Sequence, residues 1–320
     1  MSSSVQTARR GLRVYIVTLF LIIVLLTVPD RILGLLLPGD TFLFVRSLRQ
    51  LYASAPTLVY FVVGWFAPAV ASLLTRQVQN EGFEDVSFRL RGNWTVNAML
   101  IAWLWPVAAG LVVYGLAWFS SVTRFHLGAT WPPFESWGPE QLVGISLAGV
   151  PVFRAFIVRL LAALLFALLF SVVTFGQELG WRGYMLTRLI DAKVPAPIFW
   201  NGLAWGLSYL PALFRPSPTA RLEAPWISFS FEVAGMIAIS YLLAYLRLRS
   251  GSIWPAVLGA SGIVVLSLSF DAFTWANPFW KGELYLLSLG LTTAVVIFLP
   301  RPWAAQPKLE PEVASVVPRI

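Results

Sequence analysis

Apolar runs long enough to cross a membrane recur along this sequence, with short polar connections between them. They lie at about residues 12–28, 52–74, 96–119, 153–174, 198–213, 226–246, 252–270 and 283–299. A helix that crosses the hydrocarbon core needs roughly 20 mostly apolar residues, so each run is a candidate span. Hydrophobic residues make up 58% of the 320-residue chain and charged residues 12%, more apolar surface than a soluble domain could bury. We therefore predict an all-α polytopic membrane protein with about eight transmembrane helices.

The charge and the content of metal-binding residues argue against other classes of function. The formal net charge is +8, but Lys and Arg are spread over the short connections, which is typical of topology signals that face anionic lipid. We therefore expect no nucleic-acid partner. The chain has no Cys and a single His, His126, which we interpret as a solvated loop residue. Carboxylates and amides alone suit zinc poorly, so we predict no metal and no cofactor.

The runs and connections divide the chain into five predicted regions. Residues 1–11 form a cytoplasmic leader, residues 12–152 the first three transmembrane helices with their loops, and residues 153–270 a core. Residues 271–300 hold the last transmembrane helix, and residues 301–320 form a disordered tail. Residues 77–94 and 185–194 are polar connections within this scheme. Eight spans place both termini on the side richer in Lys and Arg, so we expect cytoplasmic termini and, from the compact loops, a bacterial cytoplasmic membrane.

A Glu and an Arg lie four residues apart where the run at 153–174 meets more polar sequence. Residues 175–184 read FGQELGWRGY. At helical spacing Glu178 and Arg182 share one face and are close enough to pair. Charged groups near membrane depth are costly unless they are paired or hydrated. The residues alone leave two interpretations open, an interfacial ion pair that anchors a helix end and a functional site.

Three segments in this half of the chain resemble the CPBP family, the CAAX-protease and bacteriocin-processing intramembrane proteases. The family's first motif is Glu-Glu-x-x-x-Arg, often followed by Gly-Tyr, and Gln177 stands where the family has its first Glu. Residues 205–211, WGLSYLP, resemble the second motif, with Tyr209 at its His position. Residues 245–256, YLRLRSGSIWPA, resemble the run into the third motif, whose His and Asn or Asp positions hold Gly259 and Ile263. The resemblance covers about residues 153–263 and implies a CPBP-protease-like helix bundle.

The resemblance also implies peptide-bond hydrolysis within the membrane. In that family a Glu accepts a proton from water, His residues position the water or a metal, and a polar side chain steadies the oxyanion. Zinc is expected here only if that metal mechanism survives. The amide of Gln177 has no useful basicity, and Gly259 and Ile263 offer no polar side chain. The family positions that keep a polar or charged side chain, which we take as the candidate catalytic residues, are Glu178, Arg182, Gln177 and Tyr209.

Glu232 adds a carboxylate inside the apolar run at 226–246. An intramembrane carboxylate is a functional candidate, and Glu232 could face a cavity near Glu178 and form an acid/base pair with it. Alternatively, Glu232 lies near the helix start, hydrated or bonded to Ser228 or Ser230. We favour the second interpretation.

Three functions are open at this point. The leading hypothesis is a catalytically degenerate homologue, or pseudoenzyme, that contacts membrane lipid and binds a lipidated or transmembrane peptide or protein segment. The second is an active intramembrane endopeptidase of the CAAX-processing type that uses Glu178, with Glu232 and Tyr209 as auxiliary groups. The third is a membrane permease component, which we disfavour because no repeated half or pair of broken helices stands out.

Overall fold

The computed structural model describes residues 3–36, 56–90, 92–119, 150–210 and 225–271, and no β-strand is found within these ranges. The α-helices in these ranges are α1 (Ser3–Leu36), α2 (Pro56–Gln79), α3 (Gly92–Phe119), α4 (Val152–Gly180), α5 (Leu186–Asp191), α6 (Pro197–Leu207), α7 (Pro225–Ser250) and α8 (Trp254–Asp271). A 3-10 turn, Glu84–Val86, follows α2, and a π-helical segment, Trp181–Met185, joins α4 to α5. The all-α prediction is confirmed for the described residues. His126, the predicted helix at 283–299 and the tail lie outside them.

Three described segments are long and apolar enough to cross a membrane by length and composition. They are Thr95–Val113, Arg154–Asp191 and Glu232–Ser250, and Trp254–Ile263 is a shorter apolar helix. On α4, Leu161, Leu165 and Leu169 are 56%, 60% and 68% exposed, whereas Ala163 and Ala167 are buried. Large apolar side chains outside and small ones at helix contacts are typical of helices that pack in lipid. The chain is an integral membrane protein by these features.

Two helices extend beyond the predicted apolar runs. The first helix, α1, begins at Ser3 and continues past Pro29 to Leu36, so most of residues 1–11 is helical. A proline removes one intrahelical hydrogen bond, a loss that apolar membrane helices tolerate. Most of the predicted connection at 185–194 is also helical, because α5 continues the helical stretch to Asp191 and buries Leu186 and Leu189.

The segment at 175–184 lies where several helices meet. Trp181 and Tyr184 are fully buried, and their ring centroids lie 6.3 Å and 5.3 Å from that of Tyr15 in α1. Gly180 faces α2 so closely that a Cβ there would come within 2.4 Å of the Pro68 backbone. A larger residue than glycine would force these helices apart. The packing therefore holds this segment between α1 and α2.

Small residues bring α6 against α7 on another side of the same segment. A Cβ on Gly202 would lie 2.7 Å from the Cα of Ile237, and one on Gly206 would lie 2.9 Å from the Cα of Val233. Close backbone approach through small residues four apart is a common way for membrane helices to pack. This crossing sets Tyr209, which follows α6, opposite α7.

An ion-pair network holds the connection after α2 against the ends of other helices. Arg76 pairs with Asp85 at 2.8 Å, and Arg188 pairs with Glu81 at 2.9 Å and with Asp85 at 3.4 Å. The guanidinium of Arg247 in α7 donates to the backbone carbonyl of Asp85 at 2.6 Å. The network therefore joins α2, α5 and α7 at one end of the helix packing.

Candidate functional site

The residues of the first motif lie inside a continuous helical stretch. Gln177 and Glu178 belong to the last turn of α4, and Arg182 belongs to the π-helical segment. The backbone N–H of Leu186 donates to the carbonyl of Trp181, five residues earlier, which is the hydrogen bond of a π turn. The interpretation that the Glu–Arg pair closes a helix end is therefore wrong. Short π segments inside α-helices occur frequently at functional sites.

Glu178 and Arg182 form an ion pair that is entirely shielded from solvent. Oε1 of Glu178 lies 2.8 Å from Nη1 of Arg182, and both side chains are 0% exposed. The other guanidinium nitrogen, Nη2, donates to Oγ of Ser240 at 2.9 Å, and the guanidinium lies 4.3 Å from the ring centroid of Trp205. Oε2 of Glu178 is buried with no hydrogen-bond partner in the described part of the chain. Arg182 thus connects the first motif to Trp205 of α6 and Ser240 of α7, and one carboxylate oxygen of Glu178 is engaged in the ion pair.

Gln177 uses both ends of its amide. Its Nε2 donates to the backbone carbonyl of Trp65 at 2.9 Å, and its Oε1 accepts from Nε1 of Trp181 at 2.8 Å. The side chain is 5% exposed. An ionised carboxylate could accept from Trp181 but could not donate to Trp65. The surroundings of this position are therefore matched to an amide and not to the carboxylate of the family's first Glu.

A cavity of about 280 Å³ lies beside Gln177, between five helical segments. Most of its lining is apolar or aromatic, and the residues that form it are Trp65 of α2, Thr174 and Gln177 of α4, Trp205 of α6 with Tyr209 just after it, Glu232, Gly235, Met236 and Ile239 of α7, and Ala260 and Ile263 of α8. The cavity thus brings together three family positions from three sequence segments: Gln177, Tyr209 and Ile263. Glu178 and Arg182 are not part of this lining.

The family's other His position does not reach the cavity. A Cβ on Gly259 would lie 2.7 Å from Cδ2 of Leu243 and 3.5 Å from Cβ of Ala102. Leu243 is fully buried, so its side chain occupies the space that a larger residue at 259 would need. Ile263, one helical turn further along α8, lines the cavity with an apolar side chain. The two catalytic positions of the third motif, Gly259 and Ile263, therefore take part in helix packing and provide no polar group to the cavity.

Glu232 lines the cavity from α7 and is also exposed, which is compatible with both sequence interpretations of this carboxylate. The hydroxyl of Ser230 donates to the carbonyl of Trp226 at 2.8 Å, so its hydrogen is not directed to Glu232. Glu178, by contrast, is held in its own ion pair outside the lining. The cavity thus holds one of the two carboxylates that were considered as an acid/base pair.

The residues at the family's catalytic positions do not fit a zinc ion. Of Tyr209, Gly259 and Ile263, only Tyr209 has a side-chain heteroatom. Within residues 3–36, 56–90, 92–119, 150–210 and 225–271, no three side chains of His, Cys, Asp or Glu are grouped to hold a metal. A catalytic zinc requires three protein ligands and an open position, which this donor set does not supply.

Two contributors to this site were missed by reasoning from the sequence. Ser240 is a hydroxyl residue inside the apolar run at 226–246, and a polar residue within such a run was a signal that could have identified it. Trp65 contributes its backbone carbonyl to Gln177, and a backbone carbonyl leaves no trace in a residue pattern.

Comparison with known families agrees with the motif resemblance. Residues 159–260 match the family model described as type II CAAX prenyl endopeptidase Rce1-like. This range contains Gln177, Glu178, Arg182, Tyr209 and Gly259, and ends three residues before Ile263. A search of curated proteins finds no match to the chain. The predicted resemblance to the CPBP family is thereby confirmed over residues 159–260, and the chain is a membrane protein that resembles CAAX prenyl endopeptidases in this range.

Proposed function

We propose that this CAAX-protease-like membrane protein is a catalytically degenerate homologue that binds a lipidated or transmembrane peptide segment without cutting it. The observation that carries the proposal is the bonding of Gln177. An amide cannot take the proton of an attacking water, and both ends of this amide are already engaged with Trp65 and Trp181. The position of the general base is therefore used to hold helices together.

The remaining family positions support the same proposal. Tyr209 offers a hydroxyl that is a weak base at neutral pH. Gly259 and Ile263 offer neither a ligand nor an oxyanion donor, and Leu243 occupies the space beside Gly259. Loss of one catalytic group commonly costs orders of magnitude in rate, and groups that act as a unit fail together. Hydrolysis by the family mechanism has no complete set of groups here.

The shape and lining of the cavity suit an apolar segment. Met236, Ile239, Ala260 and Ile263 provide apolar walls, and about 280 Å³ is close to the lower limit of known ligand pockets. A volume of this size accommodates part of a lipid chain or a few apolar side chains of a peptide. Two of the apolar spans, Arg154–Asp191 and Glu232–Ser250, contribute residues to the lining, so such a segment would reach the cavity from the bilayer.

The membrane arrangement that goes with this function is the eight-helix bundle, with both termini in the cytoplasm of a bacterial cell. Described helices overlap the predicted runs up to residue 271, and the sequence of the apolar run at 283–299 is long enough for a last span in this proposal. Arg247 and Arg249 at the end of α7 and Arg9, Arg10 and Arg13 in α1 would then share the cytoplasmic side.

An active endopeptidase is the second candidate, and one observation favours a version of it. Tyr209 and Glu232 line the same cavity as Gln177, so a carboxylate and a hydroxyl do face the space where a peptide would lie. In this version Glu232 takes the role of the catalytic carboxylate in place of Glu178, because Glu178 would first have to break its ion pair with Arg182.

Crosslinking and a survey of protein N-termini together distinguish the two candidates. A photoreactive residue at Met236, inside the cavity, should capture lipidated or transmembrane segments of intact proteins in cells. The same residue at Leu165, on the outer face of α4, is the control for unspecific capture. N-termini should be the same in cells with the chain, without it, and with Tyr209→Phe or Glu232→Gln.

Either of two results would contradict the proposal. One is the absence of captured segments at Met236 beyond those captured at Leu165. The other is a set of N-termini that disappears on deletion of the chain and in Glu232→Gln or Tyr209→Phe but persists in Glu84→Gln, an exposed carboxylate outside the spans. Glu178→Ala is a poor choice for this test, because it leaves Arg182 buried and uncompensated at a cost of about 3–5 kcal/mol.

A further inference from the structure

The described lining of the cavity is acidic and carries no cation. Glu232 is the only carboxylate among the described lining residues, and none of them is a Lys, Arg or His. Among the described residues Glu232 makes no hydrogen bond and no ion pair. Glu232 is exposed and is the first residue of the apolar span Glu232–Ser250. A carboxylate at this depth is costly unless it is hydrated or paired with a cation. The side chain is therefore available to a group that arrives with the ligand.

Aromatic side chains line the same cavity as this carboxylate. Trp65, Trp205 and Tyr209 all contribute to its walls. Aromatic rings attract ammonium and guanidinium groups through the negative faces of their π systems, and a low-polarity setting strengthens the attraction. The structure already contains such a contact, because the guanidinium of Arg182 lies 4.3 Å from the ring centroid of Trp205. Three aromatic residues with one carboxylate form a lining that favours a cation.

The carboxylate lies at one end of an apolar wall. Glu232, Gly235, Met236 and Ile239 follow one another on one face of α7, at the spacing of successive helical turns. Seven residues separate Glu232 from Ile239, which corresponds to about 10 Å along a helix. A ligand that fills this space is thus apolar over a length of about 10 Å and meets the carboxylate at one end.

We infer that the segment bound in the cavity is a transmembrane peptide that places a Lys or Arg side chain against Glu232. The apolar stem of that side chain and its neighbours lie along Met236 and Ile239, and the charged end lies between Glu232 and the aromatic residues. This inference rests on the proposed binding function and specifies its ligand. Neutral segments bind more weakly because they leave Glu232 without a partner.

Two small probes separate recognition of the charge from filling of the cavity. Hexyltrimethylammonium carries the cation on a six-carbon chain, and hexanol carries the same chain without charge. Calorimetric titration of the full chain in nanodiscs of zwitterionic lipid should show hexyltrimethylammonium binding about tenfold more tightly than hexanol. Glu232→Gln should reduce this preference to about twofold or less without changing the affinity for hexanol. Glu84→Gln, an exposed carboxylate outside the cavity, should leave both affinities unchanged.

A cavity-filling variant, Met236→Trp, identifies where the probes bind and should remove the binding of both. Suppose that hexanol binds and Met236→Trp blocks its binding. If hexyltrimethylammonium then binds no more tightly than hexanol, or if it still binds more tightly than hexanol in Glu232→Gln, the inference is wrong and the binding function stands. If the wild type takes neither probe, both are wrong. Because Glu232 is exposed, Glu232→Gln should keep the wild-type elution volume and thermal midpoint, which confirms that its effect is on binding.

Discussion

Gln177 occupies the position of the family's general base, and its surroundings explain why an amide is found there. The side chain joins α4 to the backbone of α2 through Trp65 and to the π segment through Trp181. Only a group that both donates and accepts can make these two hydrogen bonds. At this residue the chain has a structural hydrogen-bond bridge where an active relative would need a free carboxylate.

We therefore predict that Gln177→Glu destabilises the protein and does not produce peptidase activity. The ionised side chain cannot donate to the carbonyl of Trp65, so a buried acceptor loses its partner, at a cost of about 1–3 kcal/mol. Unfolding in detergent by denaturant titration measures the loss. The matched control is Gln77→Glu, the same exchange at an exposed site in α2, with an expected change within about 0.5 kcal/mol. New cleavage of a transmembrane peptide by Gln177→Glu would show that the missing base was the only defect.

The π-helical segment and the α6–α7 crossing act at the scale of whole elements. A π turn adds one residue to a helical turn, and here it lies where Arg182 reaches both Glu178 and Ser240. The crossing of α6 and α7 brings Ser240 and Trp205 to the same guanidinium. The helices can come this close because Gly202 and Gly206 have no side chains. Among the described residues, the site is thus assembled by contacts between helices.

We expect substitution by alanine to have opposite effects on stability at two glycines, one inside this crossing and one outside it. Gly202→Ala places a methyl group 2.7 Å from the Cα of Ile237, so α6 and α7 must separate, and we expect a loss of about 1–3 kcal/mol. Gly115→Ala in α3 meets no atom of the described residues within 4 Å and replaces a poor helix former, so we expect a gain of up to about 1 kcal/mol. Thermal unfolding in one detergent compares the two variants. Equal effects at both positions would contradict the importance of the close crossing.

At the scale of the molecule, Asp85 connects parts of the chain that are far apart in sequence. Its carboxylate pairs with Arg76 of α2 and Arg188 of α5, and its backbone carbonyl accepts from Arg247 of α7. Arg76 is almost fully buried, and its guanidinium also donates to the carbonyls of Gly82 and Gly183. The predicted polar connection at residues 77–94 therefore packs against α2, α5 and α7 through Asp85.

Neutralising Asp85 should consequently weaken the whole fold. In Asp85→Asn the backbone contact to Arg247 persists, while Arg76 and Arg188 lose a charged partner, so we expect a loss of about 1–3 kcal/mol in the free energy of unfolding. The neighbouring exposed carboxylate gives the control, since Glu84→Gln should change stability by less than about 0.5 kcal/mol. Denaturant titration in detergent checks both values. A stability of Asp85→Asn equal to that of Glu84→Gln would mean that the network contributes nothing measurable.

The sequence by itself determined the class of the molecule and the local parts of the site. Apolar runs of sufficient length predict membrane helices, because the cost of placing a residue in lipid depends mainly on its own side chain. The spacing of Glu178 and Arg182 predicts their ion pair, because both lie on one helical stretch. The resemblance of the three motif segments to the family was recognisable from residue order alone, and the family match covers residues 159–260.

Only the tertiary structure decided what each motif residue contacts. Gln177 bonds to Trp65, 112 residues away, and Arg182 bonds to Ser240, 58 residues away. Leu243 rather than open space lies beside Gly259, and Glu232 lies on the cavity while Glu178 is buried behind its ion pair. These outcomes depend on how closely the helices approach and on which faces they turn to one another. Such distances arise from side-chain packing between segments remote in the chain, and no local residue pattern encodes them.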